Sequence, residues 1–310
     1  MGLPVTVYRY TDAGAPQLTN GTPSEWIDIL KKVLVDGYGS KAPLGWTLEF
    51  ENAGQYKAAF RNKVADGGTG GYVQFWSSTG GNAANTGMNL VNCASMAALD
   101  SFIRPGYGRQ LNITTGFRGW EIIGTSRGFY IILHYTTSLL MGVPTSSYVT
   151  YQTYFVGDIH SYIANDTGAF TIASSSAASD QYGTSSAGII SNQTSSVYCR
   201  LYDTDGGSGQ YMYTASKPHP QALSLDGDAE SLGVNHLMVP FELRGVVTNQ
   251  SSISQPYVRG IIPGLHMSSF CGYRTQEWPK ELLDSDSIKW LLLRNYYSTS
   301  YWIKTGTWYD

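Results

Sequence analysis

Gly124-Thr125-Ser126-Arg127-Gly128 fits G-x-S-x-G, the pattern that presents a nucleophilic serine. That chemistry needs a strand before the motif and a helix after it, so that the serine stands exposed on a strained turn. Here the following run, Phe129 to Leu133, is strand-forming, and an ordinary hairpin turn is expected. Asp203-Thr204-Asp205-Gly206 and Asp226-Gly227-Asp228 carry calcium-loop residue types. A calcium loop of the EF-hand kind needs a carboxylate at its last position, which counted from Asp203 is Thr214, so plain turns are expected. The histidines are His134, His160, His219, His236 and His266, with no H-E-x-x-H, H-x-H or His/Cys cluster among them. Asp158 and His160 alternate on one side of the strand-like run GDIHSY, which allows them to pair, although a structurally satisfied histidine is the simpler reading. Gly67 to Gly71 lacks the Lys-Ser/Thr of a phosphate loop and reads as a flexible turn. Cys93, Cys199 and Cys271 are far apart and odd in number, as expected of reduced, buried small hydrophobes. Tyr296, Tyr297, Tyr301, Trp302, Trp308 and Tyr309 could form a sugar-stacking surface, but core or subunit contact is favoured. No catalytic, cofactor-binding or metal-binding residue is assigned, and no cofactor is expected.

The clearest element that could position anything is a helix from Pro23 to Asp36. Thr22-Pro23-Ser24-Glu25 makes a capping box, with the proline at the first helical position. Trp26, Ile27, Leu30, Val33 and Leu34 form one apolar stripe, Lys31 and Lys32 lie at the favourable end, and Gly37 or Gly39 can stop the helix. Runs at 46–50 and 56–61 read as strands packed on that stripe. Cys93 to Ile103, apolar nearly all round and followed by Pro105-Gly106, reads as a second, buried helix. Alternating or β-branched runs at 4–10, 72–76, 119–123, 129–135, 147–155, 196–203, 210–214, 237–248, 258–262, 288–296 and 301–308 complete about a dozen strands. Residues 164 to 196 are dominated by Ser, Ala, Gly, Thr and Asn and read as a projecting loop, so deletion within 170–195 is expected to spare the fold. Residues 215–235 read as a further loop. The expected class is α+β, β-dominated, with antiparallel, sandwich-like sheets, the N-terminal amphipathic helix and one further short helix. A single β-rich domain over 1–310 is expected, with a sub-division into 1–110 and 111–310 as the alternative.

Composition narrows the function classes. Hydrophobic residues are 42% of the chain, enough for a large core, while charged residues are only 14%, well under the usual quarter or so. Tyr, Gly, Ser and Thr fill the difference, and the resulting neutral surface suits broad, permanent contacts. A net charge of −3 and the lack of any Lys/Arg run exclude an electrostatic footprint for nucleic acid. No apolar run approaches the roughly 18 residues of a membrane span. The opening MGLPVTVYRY has no signal-peptide layout, and Met1-Gly2 with Thr6 is weak support for myristoylation.

Three stretches resemble a known family. Thr11-Asp12, Gly14-Ala15-Pro16, then Val35, Gly37 to Lys41, then Gly45-Trp46-Thr47, and finally Lys57 to Asn62 follow the pattern TDxGAPxL, VxGYGSKxxxGWT, KAxFRN. This is similar to the start of structural proteins of tailed bacteriophages and prophages. Weaker echoes run through 119–133, 155–162 and 259–267. The resemblance implies a place in a particle rather than a chemistry: a virion component at the capsid surface, neck or collar, or tail and baseplate, assembled in the host cytoplasm. Its implied partners are other virion proteins and copies of itself, with no nucleic acid and no membrane. A receptor- or glycan-binding protein of the phage surface is the alternative, motivated by the Ser/Thr-rich loop and the surplus aromatics. An envelope glycan hydrolase is the third, and it would need two carboxylates facing each other across a cleft.

Overall fold

A computed structural model describes residues 2–142, 153–175, 188–189, 196–216, 237–246, 256–268, 272–294 and 300–310. Its helix forms as its sequence requires. In α1 (Pro23–Lys31) the Thr22 hydroxyl accepts from the Glu25 N–H and the Glu25 carboxylate accepts from the Thr22 N–H at 2.9 Å. The last turn, Lys32–Asp36, widens to π geometry, and Gly37 at φ +82° ends it. Trp26, Ile29, Leu30, Val33 and Leu34 are fully buried.

Every strand pairing among the described residues is antiparallel. Thr47–Asn52 (β3), Lys57–Arg61 (β4), Tyr72–Ser77 (β5), Met88–Met96 (β6) and Phe102–Leu111 (β7) form a meander in chain order. A second sheet takes Thr6–Arg9 (β2), Phe117–Gly124 (β8), Gly128–Tyr135 (β9), Thr153–Asp158 (β10) and Phe170–Ala173 (β12) in the order β12-β10-β9-β8-β2. The third runs through Ser196–Tyr202 (β13), Gln210–Ser216 (β14), Met238–Gly245 (β15), Val258–Ser268 (β16), Tyr301–Lys304 (β19), Lys289–Leu292 (β18) and Glu281–Leu283 (β17), with His160–Ser161 (β11) beside β16. Leu3–Pro4 (β1) pairs with Thr307–Trp308 (β20).

The second sheet lies in the middle. Ile122, Phe129, Ile131, Leu133, Tyr154 and Val156 face a core shared with α1 and the meander. Their chain neighbours Ile123, Tyr130, Ile132 and Phe155 face a second core shared with the third sheet. Burial on both faces is why β9 reads GFYIILHY, nearly continuously apolar instead of alternating.

The stretches that carry the family resemblance dock on one another. Asp12 accepts from the Tyr38 hydroxyl at 2.9 Å and from the Arg9 N–H, and Gly39 at φ +53° sits where a Cβ would strike the Ala13 carbonyl. Residues 38–42 also cover the open edge of β2, where Lys41 donates to the Val7 carbonyl and the Tyr8 hydroxyl donates to the Ala42 carbonyl. That is a common protection for a strand edge.

Two sequence expectations are corrected. Cys93–Ile103 is not a helix: it spans the end of β6, a turn and the start of β7. Nor is it buried: of this stretch only Cys93 and Met96 are, while Ala94, Ala97, Ala98 and Ile103 are exposed, and short side chains allow the pairing of Ser95 with Ile103 and of Met96 with Phe102 as readily as a helix. Pro105 does not stop β7, because β7 is the last strand of its sheet and Pro105 faces Cys93 beside a register shift. Nor is 164–196 loop throughout: Phe170–Ala173 is β12, buried and paired with β10, so a deletion reaching those residues would remove a strand of the central sheet. Residues 176–187 and 190–195, most of the 215–235 loop, and the Asp226-Gly227-Asp228, His219, His236, Cys271, Tyr296 and Tyr297 positions lie outside the described residues.

Candidate functional site

Asp158 ends β10 and is fully buried. Its carboxylate accepts from the Thr69 hydroxyl at 2.6 Å, the Thr69 N–H at 3.0 Å and the Asn62 amide at 3.0 Å, with the Arg127 Nε at 3.5 Å. Its carbonyl accepts from the Tyr309 hydroxyl at 2.6 Å. Burial pushes this carboxyl above the usual carboxylate range, against the pull of Thr69 and Arg127. The Gly67–Gly71 turn is therefore tied down by Asp158, and Asn62 adds a bond from the Gly70 N–H. Arg127 occupies the β8–β9 turn and lies over the Tyr309 ring, 4.0 Å from its centroid. Ser126, the would-be nucleophile, donates to Asp66 at 2.6 Å in a hairpin turn, as its flanking strands imply.

Asp158 and His160 do not form a pair. His160 stacks on Tyr309 instead, with centroids 6.1 Å apart and planes at 23°. Burial pushes its imidazole below the ordinary value, Asp310 pulls the other way, and Arg127 and Lys304 add to the lowering.

Two clefts meet at the His160–Tyr309 pair. One, of about 440 Å³, is lined by the Gly67–Thr69 turn, Arg127, Ser161, Asn165 and Thr167 among others. The other, of about 450 Å³, runs past Pro263, His266, Lys304, Thr307 and Asp310. All three large sheets contribute through their loops and ends, a usual place for a binding site.

Two further ionic clusters lie within the fold. Asp166, on the wall of the first cleft, receives the Arg259 guanidinium at 2.6 and 2.7 Å and the Ser161 hydroxyl at 2.7 Å, while Arg259 also donates to the Tyr202 carbonyl. On the far side, buried Glu121 accepts from Arg9 at 2.7 Å and lies 3.1 Å from His134 Nε2. Burial pushes the His134 imidazole below its usual value, with Glu121 opposing and Arg294 and Arg9 assisting. His134 Nδ1 is buried without a hydrogen-bond partner, which fits a neutral ring donating from Nε2. Burial also acts to raise the Glu121 carboxyl, but the bonds from His134 and Arg9 outweigh it and hold it low.

The oxygens of Asp158 and of Asp166 are all engaged as acceptors within the fold. Asp203 and Asp205 turn back onto the N–H groups of Gly209 and Gly207, the plain turn expected. Cys93 and Cys199 are buried free thiols pushed up to about 12 by burial. Among the described residues no three His, Cys, Asp or Glu side chains are grouped to hold a metal ion, and no helix is long and apolar enough to cross a membrane. Tyr301, Trp302 and Trp308 are buried core residues. Asp158 and His160 were visible as candidates in the sequence. Arg127 was visible only as a turn residue and Tyr309 only as one of several aromatics, because their meeting depends on the chain end returning beside β9. No protein-family model matches the chain, and no match is found among curated proteins.

Proposed function

We propose that this chain is a structural component of a tailed-phage virion, working by packing against other virion proteins and copies of itself. One observation carries the reading: the buried carboxylates Asp158, Asp166 and Glu121 are each met by an arginine inside the fold. Arg259 with Asp166, Arg9 with Glu121, and Arg127 with Asp158 each brace a loop or strand end. With only 14% charged residues in total, the exterior is poor in charge. Large apolar side chains stand on it, including Ile103, Tyr162, Leu237, Tyr257 and Leu283, each about half exposed or more. Surfaces poor in charge are cheap to desolvate over a wide contact. The docking of the 11–16 and 37–41 stretches is consistent with the resemblance being one of architecture.

The test is mass spectrometry and cryo-EM of purified particles from a host carrying this gene. Stoichiometric chain with its own density in the head, neck or tail is the expected result. Particles that assemble and infect without containing it would refute the reading.

A further inference from the structure

The joined clefts around His160 and Tyr309 remain unexplained by a packing role. Arg127 has a side chain only 21% exposed, yet its bonding within the fold uses Nε, leaving both terminal nitrogens without a hydrogen-bond partner among the described residues. The His160 ring nitrogens likewise make no hydrogen bond among the described residues, and its ring is held by Tyr309. Asn165 holds a left-handed backbone, φ +56°, at the mouth of the first cleft. A fork of donors, an imidazole that offers one donor and one acceptor, and a carboxamide that offers both thus border the same space.

Charge selects the class of ligand. Each cation of the clefts already has its own carboxylate: Arg127 has Asp158 at 3.5 Å, Lys304 has Asp310 at 3.4 Å, and Arg259 behind the wall has Asp166. The negative charges of Asp158 and Asp166 behind the wall offset the attraction of Arg127 for an anion, and Arg127 repels a cation. What the walls favour is a ligand without net charge that both donates and accepts hydrogen bonds at many points. Clefts of about 440 and 450 Å³, each lined by the same aromatic pair, have room for more than one unit of a chain. We propose that the joined clefts bind a neutral, hydroxyl-rich oligosaccharide, with Arg127, His160 and Asn165 as its hydrogen-bonding groups and Tyr309 fixing the first two. The inference stands apart from a place in a phage particle, since it rests on the cleft alone.

The full chain would be applied to an array of neutral oligosaccharides of glucose, galactose, mannose and N-acetylhexosamines, printed beside sialylated, uronic and sulfated counterparts. The expected result is retention by a subset of the neutral glycans. Asn165→Gly suits the left-handed backbone and deletes only the carboxamide, so it should weaken retention about tenfold, the value of one good hydrogen bond. His160→Ala should do at least as much, and Asn165→Gly should melt with the wild type. Retention by no glycan, preference for the acidic ones, or unchanged retention in both variants would overturn the assignment.

Discussion

Asp158 holds a carboxylate where water cannot reach it, and four donors are arranged around it. Removing the acceptor strands the Thr69 hydroxyl and the Asn62 amide, so Asp158→Ala should cost about 3 kcal/mol in denaturant unfolding. Asp158→Asn keeps the shape and one acceptor oxygen and removes a charge that burial already disfavours, so its cost should be nearer about 1 kcal/mol. Equal losses for the two variants would show that shape plays no part. His134 gives a pH dependence of definite sign. The folded ring takes a proton less readily than the unfolded chain, so its contribution is complete above the ordinary histidine value of about 6.5 and is lost as pH falls through it. His160 and His266, also lowered chiefly by burial, act in the same sense. Glu121, held low, adds a loss further down, below about pH 4.3. Asp158, held high, works the opposite way, favouring the fold as pH falls toward the carboxylate range. Stability should therefore drop between pH 7.5 and 5.5, and His134→Gln, which keeps a donor for Glu121, should show a smaller drop. Identical pH slopes for variant and wild type would remove His134 from the account.

At the scale of elements, α1 is held by its sequence and its packing together. Trp26 is fully buried between the helix and the meander, and Trp26→Ala should destabilise by about 3–5 kcal/mol, read as a lowered urea midpoint with an unchanged slope. A shift within a few tenths of a kcal/mol would mean that the helix does not share the core. The capping box, the proline and the stripe made this element legible, because all of its signals are local. Cys93–Ile103 was not legible for the opposite reason. Cys, Ala, Ser and Met have no strong strand preference, and only the pairing of Cys93 with β5 and of Ser95 and Met96 with β7 makes them a strand. The same holds for Phe170–Ala173, four apolar residues inside a Ser- and Ala-rich stretch whose pairing with β10 lies outside any local pattern.

Across the whole molecule, the two ends of the chain close the structure. β1 pairs with β20, and Trp308 lies buried against Tyr130, centroids 5.5 Å apart, in the second core. Trp308→Ala should therefore lose about 3–5 kcal/mol, as a core tryptophan does. It should also loosen Tyr309 and with it the cleft, which hydrogen exchange of the residue 67–71 amides would register. Protection of those amides as strong as in the wild type would separate the cleft from the closure of the chain.

The residues alone determined the class of the fold and its helix: hydrophobic periodicity, turn residues and a capping box act over a few positions, and the helix and hairpins follow from them. The low charge likewise fixed the kind of surface. Only the tertiary structure decided that the middle sheet is covered on both faces, that Cys93–Ile103 is extended, and that Arg127, His160 and Tyr309 share a cleft. These depend on pairings between positions up to the full chain length apart, such as Leu3 with Trp308, and the free energy of such contacts belongs to neither segment by itself.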